Sequence, residues 1–135
     1  MRVKAPPSRP GVLVVDDEEL VRKFVERVMR EAGYRTATAS DGPEALDVAA
    51  KLETFDILVT DVMMPQMTGD EVARRIRQST PGIKVLYLTG FSDRLFKEKV
   101  TLWADEAFLD KPCSVKGLLE AVSLLLFGHL ELPQG

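Results

Sequence analysis

The run Val12-Leu13-Val14-Val15 has no polar side chain to turn toward water, so a strand made from it must be covered on both faces. A different period follows at once. Leu20, Phe24 and Val28 recur every fourth residue with Val21, Val25 and Met29 beside them, which predicts one apolar stripe on a helix from Glu18 to Ala32. Gly33 supplies its C-terminal stop.

The alternation continues down the chain. Tyr34 to Ala39, Phe55 to Thr60, Lys84 to Thr89 and Ala107 to Leu109 are predicted as strands. Between and after them, Pro43 to Leu52, Asp70 to Gln78, Ser92 to Trp103 and Ser114 to Phe127 are predicted as helices, with Pro43 in a first turn and Ser114 as a cap. Strands alternating with helices in this way imply right-handed crossovers and a parallel sheet covered on both sides, an α/β fold in three layers. The 135 residues make one domain, too short for an eight-stranded α/β barrel, and a 45% hydrophobic content supplies its core without disulfides. Residues 1–10, rich in proline, suit a tail or linker; 11–127 form the domain; 128–135 form a C-terminal tail.

Charge and composition exclude several functions. The 18 basic and 21 acidic residues are interspersed and give a net charge of −3, without the basic stripe that nucleic acid would require. No apolar run approaches the roughly 20 residues that span a bilayer, and prolines stand where a signal peptide would be apolar. The one cysteine, Cys113, precludes an internal disulfide and suits a reducing compartment, so a cytoplasmic location is expected.

In open parallel sheets, sites form at the carboxyl ends of the strands. Those positions hold Asp16 and Asp17 after the first strand, Asp61 after the third, Thr89 after the fourth and Lys111 after the fifth. Converging carboxylates repel one another unless a pKa rises or a hard cation such as Mg2+ binds. Lys111 would add a positive charge and Thr89 a hydroxyl donor. A carboxylate nucleophile surrounded by cation, ammonium and hydroxyl suits phosphoryl transfer, and Asp61, alone at the end of a central strand, fits the nucleophile. Each residue also has a plainer reading by itself: Asp16, Asp17 or Glu18 as a helix cap, Thr89-Gly90 as a turn, Lys111-Pro112 as the start of a helix. Their conjunction at successive strand ends is the specific signal.

The stretches Val14-Val15-Asp16-Asp17-Glu18, Asp56 to Pro65, Met67-Thr68-Gly69, Leu88-Thr89-Gly90 and Phe108-Leu109-Asp110-Lys111-Pro112 together resemble the receiver domains of two-component response regulators, over Gly11 to Phe127. The resemblance implies a flavodoxin-like sheet of five parallel strands in the order 2-1-3-4-5. It further implies that Asp61 is the phosphoacceptor and that Mg2+ is held by Asp17, by Asp16 through water, by Asp61 and by the backbone carbonyl of Met63. Thr89 and Lys111 would contact the phosphoryl group, and Phe108 would be the aromatic switch residue with Thr89. On this reading the chain is no enzyme beyond its own Mg-dependent phosphorylation and dephosphorylation. Its partners would be a sensor histidine kinase or histidine phosphotransfer protein, and a downstream protein on the surface of the fourth helix, fifth strand and last helix. A homodimer is another use of the apolar end of that helix, and a hybrid sensor kinase is one source for such a domain. Phe108 has no hydroxyl, so a partner that reads a tyrosine there is not expected.

Two other classes fit less well. A haloacid dehalogenase-type phosphatase would carry a second aspartate where Met63 stands. A nucleotide-binding protein would carry GxxxxGK[ST] or GxGxxG, and neither occurs.

Overall fold

In the computed structural model of the chain, which describes residues 9–52, 54–90 and 105–128, the buried run Gly11–Val15 is strand β1 and every one of its residues is shielded from water. The other strands are β2 (Arg35–Ala39), β3 (Ile57–Asp61), β4 (Lys84–Thr89) and β5 (Glu106–Asp110). Helices α1 (Glu19–Glu31), α2 (Gly42–Lys51), α3 (Gly69–Ser79) and α4 (Val115–Phe127) connect or follow them. All pairings are parallel and the order is β2-β1-β3-β4-β5, the flavodoxin-like arrangement that the resemblance implied. The expected helix at 92–103 lies outside the described residues.

Successive strand side chains point to opposite faces, and two cores follow from that alternation. Leu13, Val15, Leu58, Val85 and Tyr87 face one side, under Ala45 of α2 and Val72, Ala73 and Ile76 of α3. Val12, Val14, Ile57, Val59, Leu86 and Leu88 face the other, under Val25, Val28 and Met29 of α1 and Leu118 and Val122 of α4. The edge strand β2 is exposed or half-buried over most of its length, in keeping with its polar sequence RTATA.

The ends of the helices are fixed by local chemistry. Gly33 takes φ +100°, and the Gly33 and Tyr34 amides donate to the Arg30 and Met29 carbonyls, a Schellman closure of α1. Asp41 accepts the Glu44 amide at 2.8 Å at the start of α2, and Ser114 accepts the Gly117 amide at 2.9 Å at the start of α4. On the α3 side, Arg77 forms an ion pair with Glu106 at the start of β5, and the Tyr87 hydroxyl donates to the same carboxylate at 3.4 Å.

Gly69 seats α3 against the end of β3. Its amide donates to the Val62 carbonyl at 2.7 Å, and a side chain added there would overlap the carbonyl oxygen of Asp61. We expect Gly69→Ala to cost about 1–3 kcal/mol in urea denaturation, because backbone must move to admit the methyl. Gly82→Ala, where an added Cβ meets nothing within 4 Å, should stay within about 0.5 kcal/mol of the parent. Equal effects at the two positions would contradict the close approach at Gly69.

Candidate functional site

Strands β1 and β3 are neighbours in register, with Val15 opposite Thr60, so the residues that end them meet at one edge of the sheet. Asp16 follows β1 and Asp61 is the last residue of β3, one position further into the strand than sequence periodicity suggests. Both are buried, Asp16 completely and Asp61 at 5% exposure. Lys111 follows β5, and its ammonium reaches past the end of β4 to lie 3.1 Å from Asp16 Oδ2 and 3.1 Å from Asp61 Oδ1. The Lys111 amide donates to the Thr89 carbonyl at 2.8 Å, which carries the strand ladder up to the residue that bears the charge.

One ammonium does not satisfy this pocket. Asp16 Oδ1 accepts the Glu18 amide at 2.9 Å in the turn before α1, while Glu18 at the N-cap position makes no side-chain capping bond, so the helix-cap reading does not hold. Asp16 Oδ2, although ion-paired with Lys111, lies outside hydrogen-bond geometry and has no hydrogen-bond partner among the described residues. A buried carboxylate oxygen without a donor is costly, and a cation is the usual remedy. Asp16, Glu18 and Asp61 each present a ligand atom within 4.8 Å of the others. This donor set, all oxygen and mostly anionic, fits a hard divalent cation.

The electrostatics follow from burial. Desolvation pushes the Asp61 carboxyl up to about 7; the Asp16 charge adds to the rise and Lys111 opposes it. Burial also raises Asp16, against the Glu18 amide and the Lys111 charge. For Lys111, burial alone would favour the neutral amine, but the Asp16 and Asp61 carboxylates outweigh it and hold the ammonium charged well above the ordinary lysine range.

Sequence-predicted residues divide as follows. Asp16, Asp61 and Lys111 come together directly. Asp17 is exposed, yet its carboxyl is near enough to Asp61 to help raise that group. Met63 stands in the turn after β3, with its side chain 55% exposed. Thr89 ends β4, fully buried, and its hydroxyl donates to Asp110 Oδ1 at 2.9 Å. Phe108 packs on the α3-side core with its ring centroid 5.8 Å from that of Tyr87. Two residues gain roles that the sequence reading did not give them. Glu18, considered there only as a helix cap, joins the carboxylates and ion-pairs with Lys111 at 3.3 Å; the signal was the third acid in Asp16-Asp17-Glu18. Asp110, the acid directly before Lys111, accepts the Thr89 hydroxyl.

Residues 12–123 match the family model of the response regulator receiver domain. The chain is 36% identical over 116 residues to the sensor kinase CckA of Brucella abortus, a match covering 85% of this chain and 12% of that protein. It is 29% identical over 115 residues to the response regulator receiver protein CpdR of the same organism, covering 85% of this chain and 95% of that one. Among solved structures, the chemotaxis protein CheY4 of Vibrio cholerae superposes with a TM-score of 0.78 at 33% identity, over 87% of this chain and 99% of that one. By sequence, by sheet order and by the carboxylates gathered at the strand ends, this chain belongs to the response regulator receiver domain family.

Proposed function

We propose that Asp61 is the residue on which this receiver domain is phosphorylated, with a phosphohistidine of a sensor histidine kinase or histidine phosphotransfer protein as donor. The observation that carries the reading is the buried Asp61 carboxylate held 3.1 Å from the Lys111 ammonium, beside an Asp16 oxygen that lacks a donor. An Asp61 oxygen attacks phosphorus, the bond from phosphorus to the histidine nitrogen breaks, and an acyl phosphate forms. Lys111, already charged and already placed, offsets negative charge as it shifts toward the acceptor. Asp16, Asp61 and either Glu18 or Asp17, with the Met63 carbonyl, would hold Mg2+, which when bound supplies charge neutralisation for the phosphoryl oxygens. Thr89 and Lys111 then contact the phosphoryl group, and the rearrangement reaches Phe108. Asp61 and its neighbours thus promote only the domain's own phosphorylation and hydrolysis.

Partner surfaces follow from what is exposed near the site. Leu20 at 84% and Phe24 at 38% exposure, with Pro112 and Cys113, line an apolar cleft that ends at Lys111. A helical phosphodonor docked there would bring its histidine to Asp61. The downstream partner reads the surface of β5 and α4, where Leu124 and Phe127 are exposed, and a second copy would use the same surface. No helix among the described residues is long and apolar enough to cross a membrane. We place the domain in the cytoplasm beside its donor, with Cys113 as a free thiol.

Intact-mass measurement after incubation with acetyl phosphate and Mg2+ tests the acceptor. The wild type should gain one phosphoryl group and Asp61→Asn none; a gain by both, or by neither, removes Asp61 from the role. Lys111→Ala should keep its magnesium affinity within a few-fold and accept phosphoryl at least about tenfold more slowly.

The raised Asp61 pKa gives a pH dependence with a definite sign. Between the ordinary value of 3.8 and about 7, the metal-free folded domain keeps a proton that the unfolded chain has released. The folded state therefore binds more protons, and stability falls as pH rises through this window. In EDTA, urea midpoints of the wild type should drop from pH 5 to pH 8, and Asp61→Asn should flatten that drop. Because a cation displaces the proton, magnesium affinity should rise up to about tenfold for each unit that the pH rises toward 7, and level off above it. An Asn variant with the wild-type slope would show that another group titrates.

A further inference from the structure

Thr89 and Asp110 lie opposite one another in the β4–β5 ladder. The Thr89 hydroxyl donates to Asp110 Oδ1 at 2.9 Å, and this geometry has a strict consequence. A threonine hydroxyl carries one proton, and an ionised carboxylate can only accept. While that proton is directed at Asp110, it is not directed at anything bound on Asp61. Thr89 is 1% exposed, so water has little access to compete for the bond from the threonine side. Its backbone is held as well, since the Thr89 carbonyl accepts the Lys111 amide.

We propose that Asp110 is a positioning residue that holds the Thr89 hydroxyl away from the phosphoryl site in the unmodified domain, and so sets how readily the domain switches. The proposal rests on the reading of Asp61 as acceptor and Thr89 as a donor to the phosphoryl group. Two effects act in the same direction. Turning Thr89 toward the phosphoryl oxygens breaks a charge-assisted hydrogen bond, and the Asp110 charge, at the adjacent strand end, opposes the approach of a group that brings close to two further negative charges. A bound group shifts a conformational equilibrium only by its differential affinity for the two states, and Asp110 subtracts from that difference.

Beryllofluoride with saturating magnesium serves as the probe of the phosphorylated state, titrated into the wild type, Asp110→Ala, Asp110→Asn, Thr89→Val and the Asp110→Ala/Thr89→Val pair. Asp110→Ala should bind roughly three- to tenfold more tightly than wild type, the range a hydrogen bond to a partly exposed charged acceptor supports. Asp110→Asn, a neutral acceptor of the same shape, should fall between them and carries the test if the alanine variant does not fold. The gain should vanish in the Thr89→Val background, because no hydroxyl proton remains to be held. Amide chemical shifts of unmodified Asp110→Ala should be displaced from the wild-type positions toward those of the beryllofluoride form, an effect that a general loss of stability would not produce. Unchanged affinity in both Asp110 variants, or a gain that persists without the Thr89 hydroxyl, overturns the proposal. A wild type that binds no beryllofluoride overturns the reading of Asp61 and this inference with it; a wild type that binds, with indifferent Asp110 variants, overturns this inference alone.

Discussion

Asp16 and Asp61 place two carboxylates in a pocket that excludes water, with the single ammonium of Lys111 between them. Such a group repels itself unless positive charge is brought in, and low exposure strengthens both the repulsion and the attraction. The architecture is what makes the arrangement sustainable. Parallel pairing of β1 and β3 brings the two aspartates together at their strand ends, while β5, two strands away from β3, supplies a side chain long enough to reach both. The helices on each face keep the strand bodies dry, and these three charges meet at the carboxyl edge of the sheet.

Much of this could be read in the sequence because periodicity reports secondary structure, although of the α1 stripe Leu20 and Phe24 are exposed and only Val25, Val28 and Met29 are buried. Val12-Leu13-Val14-Val15 could only be a strand covered on both faces, and the i, i+4 stripe from Leu20 to Met29 could only be a helix with one apolar side. Strand order is another matter, since β1 and β3 carry the same apolar character and nothing in their composition says which neighbour each prefers. That order came from family resemblance, not from patterning. Ser114 caps α4 as expected, whereas β3 runs one residue further than expected because Asp61 pairs with Leu88 and stays within the ladder.

The site was legible as a set of residues but not as a set of partners. Spacing brought Asp16, Asp61 and Lys111 to one place, while the choice among adjacent acids depends on how the backbone turns into α1. That turn sends Glu18 toward Lys111 and leaves Asp17 exposed beside Asp61, a distinction of one residue that no periodicity contains. Asp110 was unreadable for a related reason. Its bond to Thr89 depends on the β4–β5 register, which places residues 21 positions apart side by side.

The Arg77–Glu106 pair lies at the opposite end of β5 from Lys111. Glu106 is nearly buried, and the guanidinium that meets it comes from α3, so the start of β5 is tied to the neighbouring helix by an ion pair shielded from solvent. Breaking that tie would strand a charge away from water, as would losing Lys111 at the far end, where Asp16 and Asp61 are buried. The strand is therefore flanked by ion pairs at both ends, to α3 through Glu106 and to the carboxylate pocket through Lys111. Phe108 sits at the middle of that strand, with Tyr87 against its ring and bonded back to Glu106, so the aromatic pair ties the strand's centre to the same carboxylate that Arg77 holds.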